Sequence, residues 1–388
     1  MKKKLILHIG QSKTGTSAIQ DHLTRNRLNL LQAGYLYPPI RIGKVPLDIA
    51  NHNGFADSLL RPTVFPRLTA KDYISQILEQ SADSRVHTVI LSAEHFFGGQ
   101  PRVWDVSSSE IFDRLYALKL QNLANLTDKF EATIVCYLRP QASWLSSGLN
   151  QTIKIARLIN PEMNVYESDK KFFDMAKMTL RYSERLGAWE NIIKPKVMIV
   201  VPYVRSALAG GDSATDFAQR IGIAHLNTSI SFKSEINPSL SIENLEIKKM
   251  LNETSKSKEK ERTIIRALVE LSAQSPLGKT YMVDPTVISE LVEYVQKDNI
   301  TLSKKYLSDV ESIDALTGYD VEKLRRPTDQ EVNDALERYL KIMHSPRMTF
   351  YTNISVVKSI IRRHTPTIHA ALNQTKRKIM NFRAKMGG

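Results

Sequence analysis

Cysteine is nearly absent from this chain of 388 residues, in which Cys136 is the single one. A disulfide framework is therefore excluded, and a reducing compartment such as the cytoplasm fits the composition. Cysteine and histidine also show no cluster at the spacing of metal ligands, so we predict no structural zinc.

Long apolar runs are missing as well, since no stretch approaches the roughly eighteen apolar residues of a membrane-spanning helix. Hydrophobic residues make up 42% and charged residues 24% of the chain, which is typical of a soluble globular protein. Residues 1–4 and the apolar run after them imitate the start of a secretory signal. That run, Leu5–Ile9, is only five residues long, so we interpret it as the first strand of the core.

Acidic residues are scarce near the end of the chain. Lysine and arginine outnumber aspartate and glutamate by 54 to 40, and residues 321–388 alone contain 14 basic and 5 acidic residues. We therefore predict a main domain at residues 1–320 and a basic helical tail at residues 321–388.

The end of this tail, residues 346–388, has nine basic residues and no acidic one. Apolar residues at helical spacing lie beside these charges, namely Ile354, Val357, Ile360 and Ile361. Such a face suits the surface of an anionic bilayer, which predicts a peripheral place at the inner membrane. A solvated terminus explains the same residues, so both interpretations stay open.

The first seventeen residues organise the chain as strand, tight loop and helix. Leu5–Ile9 breaks at Gly10, and an apolar stripe of helical period begins at Ala18. Unpaired N–H groups and the helix dipole at such a junction bind phosphate or sulfate. The loop offers glycine for close approach, one positive charge and three hydroxyl groups, from Gly10, Lys13, Thr14, Gly15, Thr16 and Ser17.

This loop differs from that of nucleoside triphosphatases, G-x-x-x-x-G-K-[ST], in which lysine follows the second glycine. Here Thr16 follows Gly15, and Lys13 lies two places before that glycine. A kinase or ATPase is therefore disfavoured. The order of lysine, hydroxyl, glycine and two hydroxyls resembles the 5′-phosphosulfate loop of sulfotransferases that use 3′-phosphoadenosine 5′-phosphosulfate.

A second motif follows the apolar run 132–138, which predicts a buried parallel strand. Arg139 ends this strand, and Ser147 lies two turns into the next predicted helix. Together they resemble the 3′-phosphate site of the same family, with the arginine fork on phosphate oxygens. The alternative is a surface arginine and a neutral helix position.

Strands alternate with helices along most of the chain, which predicts a doubly wound, mainly parallel α/β sheet of the phosphate-loop type, flanked by helices. Further strands are predicted at residues 86–92 and 196–203, and helices at 71–80, 108–128, 170–190, 214–221, 241–275 and 285–306. We interpret residues 40–70 as an irregular excursion. Lys13, Glu94 and Arg139 all follow strand ends, where ligands bind in such folds.

The order of these segments over roughly residues 4–310 resembles bacterial members of the sulfotransferase superfamily. Two departures are Ala18, where many members place a tryptophan, and the lack of a late Arg-Lys-Gly segment. The resemblance implies transfer of a sulfuryl group to a hydroxyl of a polysaccharide or glycolipid. Lys13 would stabilise the leaving group, and the scheme requires no metal.

For the catalytic base we choose Glu94, because related carbohydrate sulfotransferases use a glutamate. His52 and His95 are the alternatives, since other members use a histidine. Two other functions stay open: a small-molecule or nucleotide kinase with a deviant loop, and a nucleic-acid-binding protein. The pI near 9.6 prompts the last, but no binding motif supports it, so we expect no nucleic-acid partner.

Overall fold

The computed structural model of the protein describes residues 2–42, 45–46, 50–63, 67–98, 108–155, 163–226, 238–252, 258–307 and 324–343. Contacts divide the chain into two compact units. The first comprises Met1–Trp144, Phe173–Ile236 and Ser289–Tyr319, and the second comprises Leu145–Phe172, Asn237–Ile288 and Asp320–Gly388.

The domain boundary expected near residue 320 stays a prediction, because residues 308–323 lie outside the described ranges. The basic segment 346–388, with its expected membrane-facing helices, also lies outside them. No helix within the described ranges is long and apolar enough to span a membrane.

The first unit contains seven described strands: β1 (Lys4–His8), β2 (Tyr35–Leu36), β3 (Arg41–Ile42), β4 (Val45–Pro46), β5 (Thr88–Ser92), β6 (Glu131–Leu138) and β7 (Val197–Pro202). Five of them form one sheet in the order β2-β5-β1-β6-β7, and every pair in it is parallel. The short β3–β4 pair is antiparallel and separate. The predicted parallel α/β class is therefore confirmed.

Helices alternate with these strands. The described helices are α1 (Thr16–Arg25), α2 (Arg27–Gln32), α3 (Asn53–Ser58), α4 (Ala70–Ser81), α5 (Glu94–Phe97), α6 (Ser109–Thr127), α7 (Gln141–Lys154), α8 (Val165–Ala176), α9 (Tyr182–Ile193), α10 (Ser213–Arg220), α11 (Ile242–Asn252), α12 (Lys258–Ala273), α13 (Pro285–Tyr306) and α14 (Asp329–Met343). Short 3₁₀ turns lie at Lys177–Leu180, Arg205–Ala207 and Ala209–Gly211.

Burial on both faces explains the apolar sequence of the central strands. Ile6, Ile90 and Val135 are buried on the face that packs against α1 and α10. On the same face the fully buried ring of His8 packs against Tyr137 and Phe217. These contacts fix β1 at the centre of the sheet.

The second unit is helical in its described part, with α11, α12 and α14 packed on one another. Buried polar contacts join other segments of this unit. Asp169 accepts hydrogen bonds from the Tyr281 hydroxyl at 3.0 Å and from Asp284 N–H at 2.9 Å. Ser146 donates to the carbonyl of Tyr281 at 2.8 Å.

Three predicted segments differ from the structure. The helix expected over 170–190 is two helices, because Arg181 has a non-helical ψ of 85° and the Asp298 carboxylate accepts from the N–H groups of Ser183 and Glu184. Residues 34–39, whose glycine and prolines predict only a break after the first helix, contain the edge strand Tyr35–Leu36, which pairs with β5. The excursion at residues 40–70 contains α3 and the β3–β4 pair.

Candidate active site

The parallel hydrogen bonds between β1 and β6 continue into the loop after β1, and the loop then turns sharply. Ile9 N–H donates to the carbonyl of Val135 at 3.0 Å, and Gln11 N–H donates to that of Tyr137 at 3.1 Å. Lys13 then has a φ of 68° and Gly15 a φ of 74°, both in the left-handed region. A lysine rarely adopts this conformation, and such strain is common at binding sites.

Two constraints require glycine at position 15: the positive φ and the lack of room for a side chain. A Cβ atom there would lie 2.2 Å from Ser213 Oγ of α10. The Ser213 hydroxyl donates to the carbonyl of Gly15 at 3.0 Å, so the helix α10 supports the loop. Only glycine allows this close approach at a positive φ.

The loop leaves a row of open donors at the start of α1. Gly15 is the N-cap, and no side chain caps the helix. Within the described ranges the N–H groups from Lys13 to Ser17 donate no hydrogen bond. With the positive end of the helix dipole, they suit an oxyanion such as phosphate or sulfate.

The predicted roles of Thr14 and Thr16 need correction. The Thr14 hydroxyl is fully buried and donates to the carbonyl of Gln11 at 2.6 Å. The Thr16 hydroxyl is also buried, 3.4 Å from the same carbonyl. Both hydroxyls therefore brace the loop from inside, and their contribution to an anion would come from the main chain. Ser17, in contrast, is exposed.

Lys13 and Arg139 lie together, as the sequence predicted from their strand ends. The Arg139 guanidinium donates through Nη1 to the carbonyl of Lys13 at 3.0 Å. Lys13 Nζ has no hydrogen-bond or ion-pair partner among the described residues. Burial lowers the pKa of Lys13, Arg139 lowers it further, and Glu94 opposes both. Lys13 thus lies within electrostatic reach of both predicted site residues.

Glu94 is the first residue of α5, and Ala93 alone separates it from the end of β5. Ala93 N–H donates to the carbonyl of His8 at 3.0 Å, which ties this strand end to β1. The Glu94 side chain is half-buried, and its carboxylate has no hydrogen-bond partner among the described residues. The structure therefore brings the predicted base to the side of the loop opposite Arg139.

His52 is corrected from candidate base to structural residue. Its ring is buried, Nε2 donates to the carbonyl of Pro38 at 3.0 Å, and Nδ1 accepts from Ser92 N–H at 3.2 Å. Burial lowers the pKa of His52 to about 4. With a neutral ring and both nitrogens used by the main chain, His52 has no position left for a substrate proton.

His95 stays an alternative base beside Glu94. Its Nδ1 lies 2.9 Å from Asp57 Oδ1 of α3, and both side chains are partly exposed. The carbonyl of His95 accepts a hydrogen bond from Lys119, a buried lysine of α6. A histidine oriented by a carboxylate is an arrangement that suits proton transfer.

Ser147 lies on α7, is half-buried and belongs to the second unit, so its 3′-phosphate role stays a prediction. The serine that contacts Arg139 is Ser143, whose hydroxyl accepts from Arg139 Nε at 3.0 Å. Ser143 follows Arg139 by four residues, one helical turn along the chain. That spacing could have been recognised in the sequence.

Gln11, Tyr182 and Trp144 were not predicted from the sequence. Gln11 Oε1 accepts from Arg139 N–H at 3.2 Å and from the Tyr182 hydroxyl at 2.8 Å. Tyr182 also lies 2.9 Å from the carbonyl of Arg139, and Trp144 Nε1 donates to Ser12 Oγ at 3.3 Å. Both aromatic residues look like apolar core residues of a helix in the sequence. Their contact with the loop is made by the Tyr182 hydroxyl and the Trp144 N–H group, which the apolar pattern does not indicate.

Comparisons with known proteins give limited similarity. No family model matches the chain. An uncharacterized protein of Archaeoglobus fulgidus is 26% identical over 248 residues, which cover 63% of this chain and 65% of that protein. A crystal structure of a sulfotransferase from Alicyclobacillus acidocaldarius aligns with a TM-score of 0.40 at 13% identity, covering 79% of this chain and 97% of that one. The fold and site define a parallel α/β protein whose first strand–helix loop has N–H groups that donate no hydrogen bond within the described residues.

The buried His52 should make the folded protein sensitive to acid. Its pKa is about 4 when folded, below the ordinary 6.5, so between these values the unfolded chain binds the extra proton. Stability should therefore fall as the pH decreases from 6.5 to 4, by up to about 1.4 kcal/mol per pH unit for this group. His8, whose pKa burial lowers to about 3, acts in the same direction.

Urea unfolding at several pH values, compared between wild type and His52→Gln, measures this contribution. The variant should lose part of the slope between pH 6.5 and 4 and retain the part due to His8. His225→Gln, a change at an exposed histidine, serves as the control and should keep the wild-type slope. An unchanged slope in His52→Gln would show that His52 is not a buried neutral group.

Proposed function

We propose that this protein is a sulfotransferase that moves a sulfuryl group from 3′-phosphoadenosine 5′-phosphosulfate to a hydroxyl of a carbohydrate. The observation that supports this most is the amine of Lys13, which has no partner among the described residues and lies within electrostatic reach of Arg139 and Glu94. The N–H groups of the same loop donate no hydrogen bond within the described residues. The site thus has a charge for a leaving phosphate and a carboxylate for an incoming hydroxyl.

The reaction needs the donor sulfur to pass from a phosphate oxygen to the acceptor oxygen. Glu94 would take the hydroxyl proton as the new oxygen–sulfur bond forms. The electron pair of the breaking sulfur–oxygen bond stays on the phosphate, where Lys13 and the loop N–H groups would stabilise the growing negative charge. Because these donors are already placed by the fold, little reorganisation is required during the step.

The donor also carries a phosphate on its ribose, and Arg139 is the residue we assign to it. One end of its guanidinium is held by the carbonyl of Lys13 and by Ser143. These contacts orient the remaining N–H groups, which suit phosphate oxygens. Ser147 remains the second residue proposed for this group.

A kinase is the runner-up, and the loop gives a physical reason against it. Thr16 stands where a triphosphate loop has its lysine, and this residue is buried against the loop itself. The lysine of this loop, Lys13, precedes Gly15 in the chain instead of following it. No contact in the described ranges favours a nucleic-acid-binding role over these two.

The acceptor and the location are proposed from the sequence and its composition. A polysaccharide or glycolipid acceptor follows from the resemblance noted in the sequence, and a cytoplasmic site fits the lone buried Cys136. The basic tail would bring the enzyme to an anionic membrane surface, where a lipid-linked glycan would be accessible.

Transfer of labelled sulfate from 3′-phosphoadenosine 5′-phosphosulfate to fractionated cell-envelope glycans tests the proposed function. Label should appear in one carbohydrate fraction and should depend on the protein and on the donor. Transfer of labelled phosphate from ATP, with none of sulfate, would favour the kinase instead.

Lys13→Ala should lower the rate of transfer on the order of 10²- to 10³-fold, because it removes the charge at the leaving phosphate. Folding should change little, since alanine is strained at a positive φ much as lysine is. The measurement is turnover together with the thermal midpoint. Lys129→Ala, at an exposed lysine, is the matched control. A Lys13→Ala variant with wild-type turnover would remove this lysine from the mechanism.

Arg139→Ala should mainly weaken donor binding, by about 1.5–3 kcal/mol for a charge-assisted contact to phosphate. Calorimetric titration with 3′-phosphoadenosine 5′-phosphate measures it, and Arg61→Ala at an exposed arginine is the control. Unchanged affinity in Arg139→Ala would show that the arginine does not bind the donor.

Glu94→Gln should lower turnover on the order of 10²- to 10⁴-fold and spare donor binding, because the amide keeps the shape but cannot accept the proton. Turnover and donor affinity are measured on the same preparation. Glu79→Gln, at an exposed glutamate of α4, is the control. If Glu94→Gln keeps its turnover, His95→Gln is the next variant, and a loss there would assign the base to His95.

A further inference from the structure

Arg205 lies just beyond the strand next to the one that ends in Arg139. β6 and β7 pair in register up to Leu138 and Pro202, and Tyr203 N–H then donates to the carbonyl of Leu138 at 2.6 Å. Arg205 follows two residues later and begins the 3₁₀ turn Arg205–Ala207. The carboxyl ends of these parallel strands therefore bring Arg205 to the same edge as Arg139.

Arg205 is a cation that has no counter-charge among the described residues. Its side chain is exposed and forms no ion pair or hydrogen bond with the described residues. It lies near enough to Arg139 to lower the pKa of that guanidinium, an effect smaller than that of burial. Arg139 acts on Lys13 in the same way. Lys13, Arg139 and Arg205 thus form a series in which each guanidinium acts on the next positive charge, and Glu94 opposes it at Lys13.

Like charges in a row repel one another, and a bound anion relieves that repulsion. Arg139 alone has few N–H groups left for a second phosphate. Its Nη1 already donates to the carbonyl of Lys13, and its Nε donates to the Ser143 hydroxyl. A phosphate monoester carries a charge of about −1.5 to −2 at neutral pH. One partly occupied guanidinium leaves much of that charge unbalanced.

The strand order places the proposed base on one side of β1 and the two arginines on the other. β5, which carries Glu94, lies on one side of β1, while β6 and β7 lie on the other. A hydroxyl that gives its proton to Glu94 must approach from the β5 side. The part of the donor away from the reacting sulfur then extends toward β6 and β7, where Arg139 and Arg205 lie.

We propose that Arg205 binds the second anionic group of the donor and makes the site selective for nucleotides with a 3′-phosphate. This inference rests on the proposed function. Arg205 is a specificity-determining residue, and its loss should affect recognition of the 3′-phosphate more than binding of the 5′ end.

Calorimetric titration of the full chain with adenosine 3′,5′-bisphosphate and with adenosine 5′-phosphate tests this assignment. Wild type should bind the bisphosphate more tightly. Arg205→Gln should weaken bisphosphate binding about tenfold, or about 1.4 kcal/mol, and leave binding of the monophosphate unchanged. Arg67→Gln, at another exposed arginine, is the control and should change neither affinity. An equal thermal midpoint in all three proteins confirms that folding is intact.

Two results would overturn the inference while sparing the proposed function. They are an unchanged preference for the bisphosphate in Arg205→Gln, and an equal loss of affinity for both nucleotides. A wild-type protein that does not bind the bisphosphate at all would overturn the proposed function and this inference together.

Discussion

The site depends on the parallel register of β1 between β5 and β6. His8 pairs with Ser92 on one side and with Val135 on the other, and hydrogen bonds continue both ladders beyond the strand ends. Three strand ends therefore reach one edge at fixed positions. A register shift of one residue would reverse the faces of the side chains and separate the site residues.

Unbalanced positive charge is the second property of this edge. Elsewhere in the first unit, Arg220 pairs with Asp216 at 2.6 Å, and the Arg185 guanidinium lies over three aromatic rings. At the loop, Lys13 has no partner among the described residues and its burial lowers its pKa. An anion bound at this edge, as we propose, would reduce the repulsion between these positive charges.

The sequence predicted the residues whose positions follow from strand ends. Lys13, Glu94 and Arg139 each lie shortly after an apolar run, and parallel strands place their ends together. The sequence did not predict the features that depend on contacts between residues far apart in the chain. The inward hydroxyl of Thr14 and the burial of His52 depend on neighbours distant in the sequence, so local pattern could not indicate them.

Helix ends show the same limit. The pattern over residues 170–190 is helical throughout, yet the chain breaks there because the carboxylate of Asp298 caps a new helix at Ser183. No local signal carries that information, since the two residues are 115 positions apart. The division into two units also joins distant segments of the chain.

Competitive titration of the purified protein with 3′-phosphoadenosine 5′-phosphate and ATP tests the central claim most directly. The account predicts that the bisphosphate binds at least about tenfold more tightly than ATP, which corresponds to about 1.4 kcal/mol. That preference should not require added magnesium, because no step assigned to the residues uses a metal. Tight binding of ATP without affinity for the bisphosphate would contradict the account.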